Sequence, residues 1–422
     1  MKEVELKLLP PREVADGLGR SPGVDALAEG PAETRRLRTV YHDTAEGALA
    51  AAGIARRLRH DGQAWTQTVK AARAMQAGLS EARESDALAA EGRVDPAAIV
   101  DADLRAAVET AVNGADLSPV FSSEITRTTR VLSLPYLGRV EMALDQGEIR
   151  AGVRAEPITE VEFELVEGSP RAVFEAARRV LPPEALRPSR LNKAERGALL
   201  AETGAIEPPA VPRKARAVAL DREMTTEAGA RAVLAECLDQ IDANVEAVLA
   251  DDDPEGPHQL RVGLRRLRSA FQLFEAALGG ERMRQLGAEA QWLGREVGIL
   301  RDLDVAGGEM VAGAAALEPE EPGFGALAEA LAAEASEVRA VLRRTLAGAR
   351  ARGFVLDLTE FVATRGWLDP GDFEQTARLA RPLPESASAA LDKRLAKAAK
   401  RAKGLEGLSV EARHELRKAL KK

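Results

Sequence analysis

The chain has 422 residues, 45% of them hydrophobic, a formal net charge of -8 and a single cysteine, Cys237. There is apolar material for two sizeable cores, no possibility of an intramolecular disulfide framework, and no global positive charge of the kind a generic nucleic-acid binder carries. No charged-then-apolar leader precedes the first strand pattern and no uninterrupted apolar stretch is long enough to span a membrane, so a cytoplasmic protein without a membrane partner is expected.

Glu3-Val4-Glu5-Leu6-Lys7 alternates charged and apolar residues, the two-residue period of a strand, and puts two carboxylates and an amine on one face. Basic alternation follows in Arg57-Leu58-Arg59 and in Thr66-Gln67-Thr68-Val69-Lys70. Acidic alternation returns in Thr159-Glu160-Val161-Glu162-Phe163-Glu164-Leu165. On a single strand this pattern describes a solvated outer face. On several strands that close into a barrel, with helices over their apolar faces, the charged faces must point inward. A lumen lined by carboxylates and guanidinium groups is stable only with charged contents. Hard divalent cations suit the carboxylate oxygens, and a polyphosphate chain suits the Arg and Lys side chains.

Glu3-x-Glu5-x-Lys7, Gly53 through Arg57-Leu58-Arg59, Trp65-x-Gln67-Thr68-x-Lys70, Val140-Glu141-x-Ala143-Leu144-Asp145-x-Gly147-Glu148-Ile149 and Glu160-x-Glu162-x-Glu164 followed by Glu167-Gly168 resemble, in order and spacing over about 200 residues, the CYTH superfamily of triphosphate tunnel metalloenzymes. The resemblance implies an α+β first half, an antiparallel eight-stranded tunnel with flanking helices that binds linear inorganic triphosphate and hydrolyses it with Mg2+ or Mn2+. Carried over by position, Glu3, Glu5, Glu160, Glu162 and Glu164 are expected on the metal side. Lys7, Arg57, Arg59, Lys70, Arg127 and Lys193 are expected on the phosphate side, Lys193 from a late helix near the tunnel mouth. Glu3, Glu5, Lys7, Arg57 and Arg59 form the expected catalytic set.

Two positions depart from the family pattern. Many relatives carry Arg-x-Glu-x-Glu after the Lys70 strand, where this chain has Ala82-x-Glu84-x-Asp86 with Arg83 one place off, and relatives tend to read Ser-Lys where this chain has Asn192-Lys193. Neither a G-x-x-x-x-G-K-[ST] phosphate loop nor a Cys-His or Ser-His-Asp arrangement suggests itself, which leaves a P-loop or covalent mechanism without support. His42 and His60 adjoin turn-like segments and are expected as ordinary polar surface residues.

Glu207-Pro208-Pro209-Ala210-Val211-Pro212 breaks regular structure and marks residues 205–222 as an extended linker between a domain over 1–204 and another over 223–422. Beyond it Ala, Leu, Glu and Arg recur with helical period over Glu227–Leu249, Pro257–Leu278, Arg282–Leu303 and Phe324–Ala351, which predicts a helical bundle. His258, Arg261, Arg265 and Arg268 share one stripe of a helix, opposite Leu260, Leu264, Leu267, Phe271 and Phe274. His414-x-x-Arg417-x-x-x-Lys421-Lys422 echoes His258-x-x-Arg261-x-x-x-Arg265-Arg266, the mark of an internal repeat.

With Leu293-Gly294 and Leu300-Arg301-Asp302-x-Asp304-Val305, and with Leu408-Ser409-x-Glu411-x-Arg413-His414-x-Leu416-Arg417, this half is similar to the CHAD domain. The resemblance implies binding of inorganic polyphosphate by a basic surface made of His258, Arg261, Arg265, Arg268, His414, Arg417, Lys418 and Lys421. Lys393, Arg394, Lys397, Lys400, Arg401 and Lys403 could extend that surface, although such runs are usually solvated helix faces. Relatives continue past the second His-Arg helix, so the second repeat is expected to be incomplete. The leading expectation is an inorganic triphosphatase with a polyphosphate-binding module, its partners triphosphate and polyphosphate rather than nucleic acid, with polyphosphate granules as a place of association. A nucleotide- or thiamine-triphosphate-processing enzyme, for which Tyr41 or Trp65 would have to supply a stacking surface, and a non-catalytic polyphosphate scaffold are the alternatives.

Overall fold

The computed structural model describes residues 2–72, 75–89 and 92–420. The chain folds as two compact units, one running to Pro209 and including Ala347–Thr359, the other comprising Ala210–Leu346 and the chain from Glu360 onward.

The first unit is a closed barrel of eight antiparallel strands in the order β1-β5-β4-β3-β2-β6-β7-β8. The strands are β1 (Lys2–Leu8), β2 (Ala28–Asp43), β3 (Ile54–His60), β4 (Trp65–Ala72), β5 (Leu79–Leu88), β6 (Ser118–Leu134), β7 (Gly138–Ala151) and β8 (Arg154–Gly168). Its helices are α1 (Arg12–Leu18), α2 (Pro22–Asp25), α3 (Ala48–Ala51), α4 (Ala102–Val112), α5 (Arg171–Val180) and α6 (Lys193–Thr203). Alternation explains the barrel. Leu6, Leu8, Val161 and Phe163 are completely buried on the outer face, and α5 covers that side with Ala172, Val173, Phe174, Ala176, Ala177 and Val180. On the β3–β4 side Leu49 and Leu104, from α3 and α4, pack with Ile54 and Val69. Each such side chain removed from water contributes roughly 1.5–3 kcal/mol, which forces the alternate, charged residues into the lumen.

Four strands, β2, β6, β7 and β8, run 14 to 17 residues, longer than the rest, and their inner faces change character along their length. Leu37, Ile125, Ile149 and Ile158 lie on the same strand faces as Thr39, Arg127, Asp145 and Glu160, but cluster with Leu200 of α6. Helix α6 therefore lies against the inner face of the extended strands. Gly197 makes the approach possible, because a Cβ there would lie 2.0 Å from the Phe121 ring, which is itself stacked on Tyr41 at 4.4 Å between centroids.

The second unit is helical: α7 (Thr226–Ala250), α8 (Glu255–Leu273), α9 (Glu275–Leu278), α10 (Glu281–Val305), a π-helical turn at Ala306–Val311, α11 (Ala312–Leu317), α12 (Gly323–Ala347), α14 (Phe373–Ala380), α15 (Leu383–Ala402) and α16 (Val410–Leu420). Helix α13 (Ala349–Ala363) is divided between the two units. The single helix expected over Phe324–Ala351 is thus two helices, broken at the bend of Gly348. Leu260, Leu264, Leu267, Phe271 and Phe274 are buried, as the stripe of α8 predicts. Residues 210–220 have no regular secondary structure and are pinned to α7 at Arg213: the Asn244 carboxamide accepts from Arg213 N at 3.0 Å and donates to Arg213 O at 2.8 Å, and Arg213 pairs with Glu236 at 2.7 Å. None of the described helices is long and apolar enough to cross a membrane.

Candidate active site

Register sets the rows of charge in the lumen. Glu5 faces Glu164 and Lys7 faces Glu162 across β1 and β8, Asp145 faces both Glu160 and Arg127 on its neighbours, and Lys70 faces Glu84 across β4 and β5. All of the tunnel residues expected from sequence, apart from Glu160, line one cavity of 1530 Å³, and Glu160 lies behind it, fully buried.

At the β7–β8 side the charges are closely paired. The Lys193 ammonium lies 2.5 Å from Asp145, 2.5 Å from Glu160 and 2.7 Å from Glu162. Arg127 grips Asp145 with two hydrogen bonds of 2.7 Å and reaches Glu162 at 2.5 Å. Lys7 bridges Glu162 and Glu5, the latter at 2.5 Å. Burial opposes every one of these charges, yet the neighbouring cations hold Asp145 below the usual carboxylate range and Glu162 well below it, and the carboxylates hold Lys7 and Lys193 above the usual ammonium range.

At the β1–β5 side negative charge is in excess. Lys70 is 2.6 Å from Glu3 and 3.5 Å from both Glu5 and Glu84, and Arg57 is 3.2 Å from Glu84. Burial, with Glu5 and Glu84 adding to it against Lys70, pushes Glu3 up to about 8. Burial, reinforced by Glu5 and Glu141, pushes Glu164 up to about 7. The Glu5 Oε2 atom is buried without a hydrogen bond.

Arg59 is the cation with least compensation. Its Nε donates to Thr39 at 3.3 Å and it makes no ion pair among the described residues; burial, then Arg57 and Arg127, disfavours its charged form.

Asp145 and Arg196 belong to the site although neither stood among the candidates. Glu141 and Asp145 occur four apart in the alternating segment 140–149, which places both on the lumen face. Arg196, three residues after Lys193 on α6, is 3.6 Å from Glu160. Asn192 caps α6 by accepting from Ala194 N and Glu195 N, with Glu195 returning the bond to Asn192 N, so Asn serves where relatives have Ser. Of the family-departing segment, Glu84 and Asp86 line the cavity while Arg83 pairs outside it with Asp103. His60 packs on Trp65 and His42 lines the cavity, and both are half-buried rather than the surface residues expected.

In the helical unit Arg261 and Arg265 are exposed and His258 and Arg268 half-buried along α8, with Arg268 donating to Gln291 at 3.3 Å. His414, Arg417 and Lys418 are exposed on α16, Lys418 pairing with Glu415 at 2.9 Å; Lys421 lies outside the described residues. Both helices pack on α15, and Lys393, Lys397 and Arg401 of α15 line a groove of 900 Å³ together with Lys418 and Gln272.

Residues 1–198 match the CYTH domain family and residues 232–422 the CHAD domain family. An inorganic triphosphatase of Haemophilus influenzae is 27% identical over 201 residues, 47% of this chain; the chain spans about half, 55%, of that relative's length. Similar solved structures include the CHAD domain of Ricinus communis, at 28% identity and TM-score 0.42 over 50% of this chain and 67% of that one. Another is a Hippeastrum protein put forward as an adenylyl cyclase and described as having a dominant triphosphatase activity, at 19% identity and TM-score 0.34 over 49% of this chain and 98% of that one. The chain carries a CYTH domain over residues 1–198 followed by a CHAD domain over residues 232–422.

Proposed function

We propose that the barrel hydrolyses inorganic triphosphate with the help of Mg2+ or Mn2+, and that the helical unit binds inorganic polyphosphate through the α8 and α16 cations. The observation that carries this reading is the division of charge in the lumen: unpaired Arg59 next to Arg57 on one wall, and surplus carboxylate at Glu3, Glu5 and Glu164 on another.

Glu3, Glu5 and Glu164 offer hard oxygen donors, a buried Glu5 oxygen that accepts no hydrogen bond and has only the Lys70 ammonium at 3.5 Å, and a local excess of negative charge, which fits a hard divalent cation. When bound, such an ion supplies charge neutralisation and polarisation of a phosphoryl oxygen. Arg57 and Arg59 would donate to the phosphate oxygens, relieving their mutual repulsion, while Lys70 leaves its carboxylates to do the same. Lys7 and Arg127, already fixed by carboxylates, would hold positive potential beside the transferring phosphoryl group without having to reorganise. Phosphoryl transfer to water asks for little more than this positioning and neutralisation.

Tyr41 is the one of the two candidate stacking residues that lines the cavity, but its ring is already stacked on Phe121, which favours a bare phosphate chain over a nucleotide or thiamine ester. The test is phosphate release from inorganic triphosphate, ATP and thiamine triphosphate at equal concentration with Mn2+ or Mg2+. Preference for inorganic triphosphate supports the reading; preference for either ester overturns it.

A further inference from the structure

Among the described residues, the carboxylates whose oxygens come near enough to share one ion are Asp145, Glu160 and Glu162, within 4.8 Å of one another. By geometry alone they would be the metal centre, and two of them stood among the expected metal ligands. Their surroundings argue otherwise. All three are buried, Asp145 at 1%, Glu160 at 0% and Glu162 at 6% exposure, and a buried carboxylate triad requires positive charge beside it. That charge is already built in. The Lys193 ammonium is within 2.7 Å of all three, Arg127 contacts two of them, Lys7 contacts Glu162, and Arg196 backs Glu160.

Lys193 is moreover the first residue of α6, where the helix dipole disfavours a cation and where the side chain is 7% exposed. Nothing local to the helix stabilises an ammonium at that position; the three carboxylates do. We propose that Lys193 is an internal counter-cation that occupies the Asp145–Glu160–Glu162 triad in place of a divalent ion, so that the tunnel takes metal only at the Glu3–Glu5–Glu164 side. This rests on the metal-dependent reading of the tunnel and makes Lys193 a positioning residue rather than a direct phosphate ligand.

The test is Mn2+ binding to the full chain, stripped of metal and without phosphate, measured by equilibrium dialysis and by the electron paramagnetic resonance of bound Mn2+. In the otherwise native chain Glu5→Gln abolishes binding and Glu160→Gln leaves the number of ions unchanged. Lys193→Met, which keeps the stem and removes the charge, gains one further ion per chain, and Glu160→Gln added to it removes that ion again. Loss of an ion in Glu160→Gln alone, or a folded Lys193→Met chain that gains none, overturns the inference. Should Lys193→Met fail to fold, the comparison of Glu5→Gln with Glu160→Gln decides by itself. A native chain that binds no Mn2+ overturns the metal-dependent reading of the tunnel, a separate and earlier failure.

Discussion

At the scale of single residues, burial governs the carboxylates of the β1 side. Glu3 is pushed up to about 8 and Glu164 to about 7, from an ordinary value of 4.5, because desolvation and neighbouring carboxylates outweigh Lys70. A folded-state pKa above the unfolded one means that the folded chain holds more protons, so the stabilising contribution is complete below about pH 4.5 and is lost as pH rises through 7 and 8. The metal-free protein is therefore expected to lose melting temperature as pH goes from about 5 to about 8. On the proposed metal site Mn2+ would replace those protons and is expected to raise the melting temperature more at pH 8 than at pH 6, and an equal rise at both would contradict the proposed roles of Glu3 and Glu164. Asp145 and Glu162, held low by cations, titrate in the opposite sense and below this window.

At the scale of elements, α6 decides how the lumen is built. A methyl group at position 197 would sit 2.0 Å from Phe121, too close for the stacked ring to absorb. Gly197→Ala is expected to destabilise the protein by about 1–2 kcal/mol in urea unfolding, an overpacking cost in the upper part of the usual range of about 1–3 kcal/mol, because the clash is with a stacked ring, less the roughly 1 kcal/mol gained in helix propensity. Phe121→Leu should recover part of that loss, whereas a stability unchanged by Gly197→Ala would show that α6 does not press on the ring. The strands were readable beforehand because Glu3-Val4-Glu5-Leu6-Lys7 and its counterparts alternate without interruption. The entry of α6 was not. Leu37, Ile125, Ile149 and Ile158 are apolar on the lumen face, and a rule of charge inward and apolar outward would turn them to the wrong side. Their true cover, Leu200 and Gly197, comes from a segment whose pattern is that of any amphipathic helix. The docking of residues 210–216 on α7 through Asn244 was equally hidden, since a proline-rich stretch gives no sign of what its backbone will bond to.

At the scale of the whole molecule, a chain of net charge -8 still exposes local cations on α8 and α16, and the proposed polyphosphate binding depends on these rather than on the net charge. Polyphosphate binding to the helical unit is expected to weaken linearly on a plot of log affinity against log salt. Arg261→Ala should lower the slope by roughly 0.7, the single-strand value for one lost phosphate contact. A slope that stays flat between low and high salt would contradict binding by the exposed cations of α8. For the barrel, the proposed function requires Glu5 to hold the divalent ion with which triphosphate is cleaved. The measurement that tests it most directly is phosphate release from inorganic triphosphate by the full chain with Mn2+, after chelation, and in Glu5→Gln. Release is expected to depend on the metal and to disappear in Glu5→Gln; release that survives either chelation or that substitution would rule out a metal held by Glu5 as the means of cleavage.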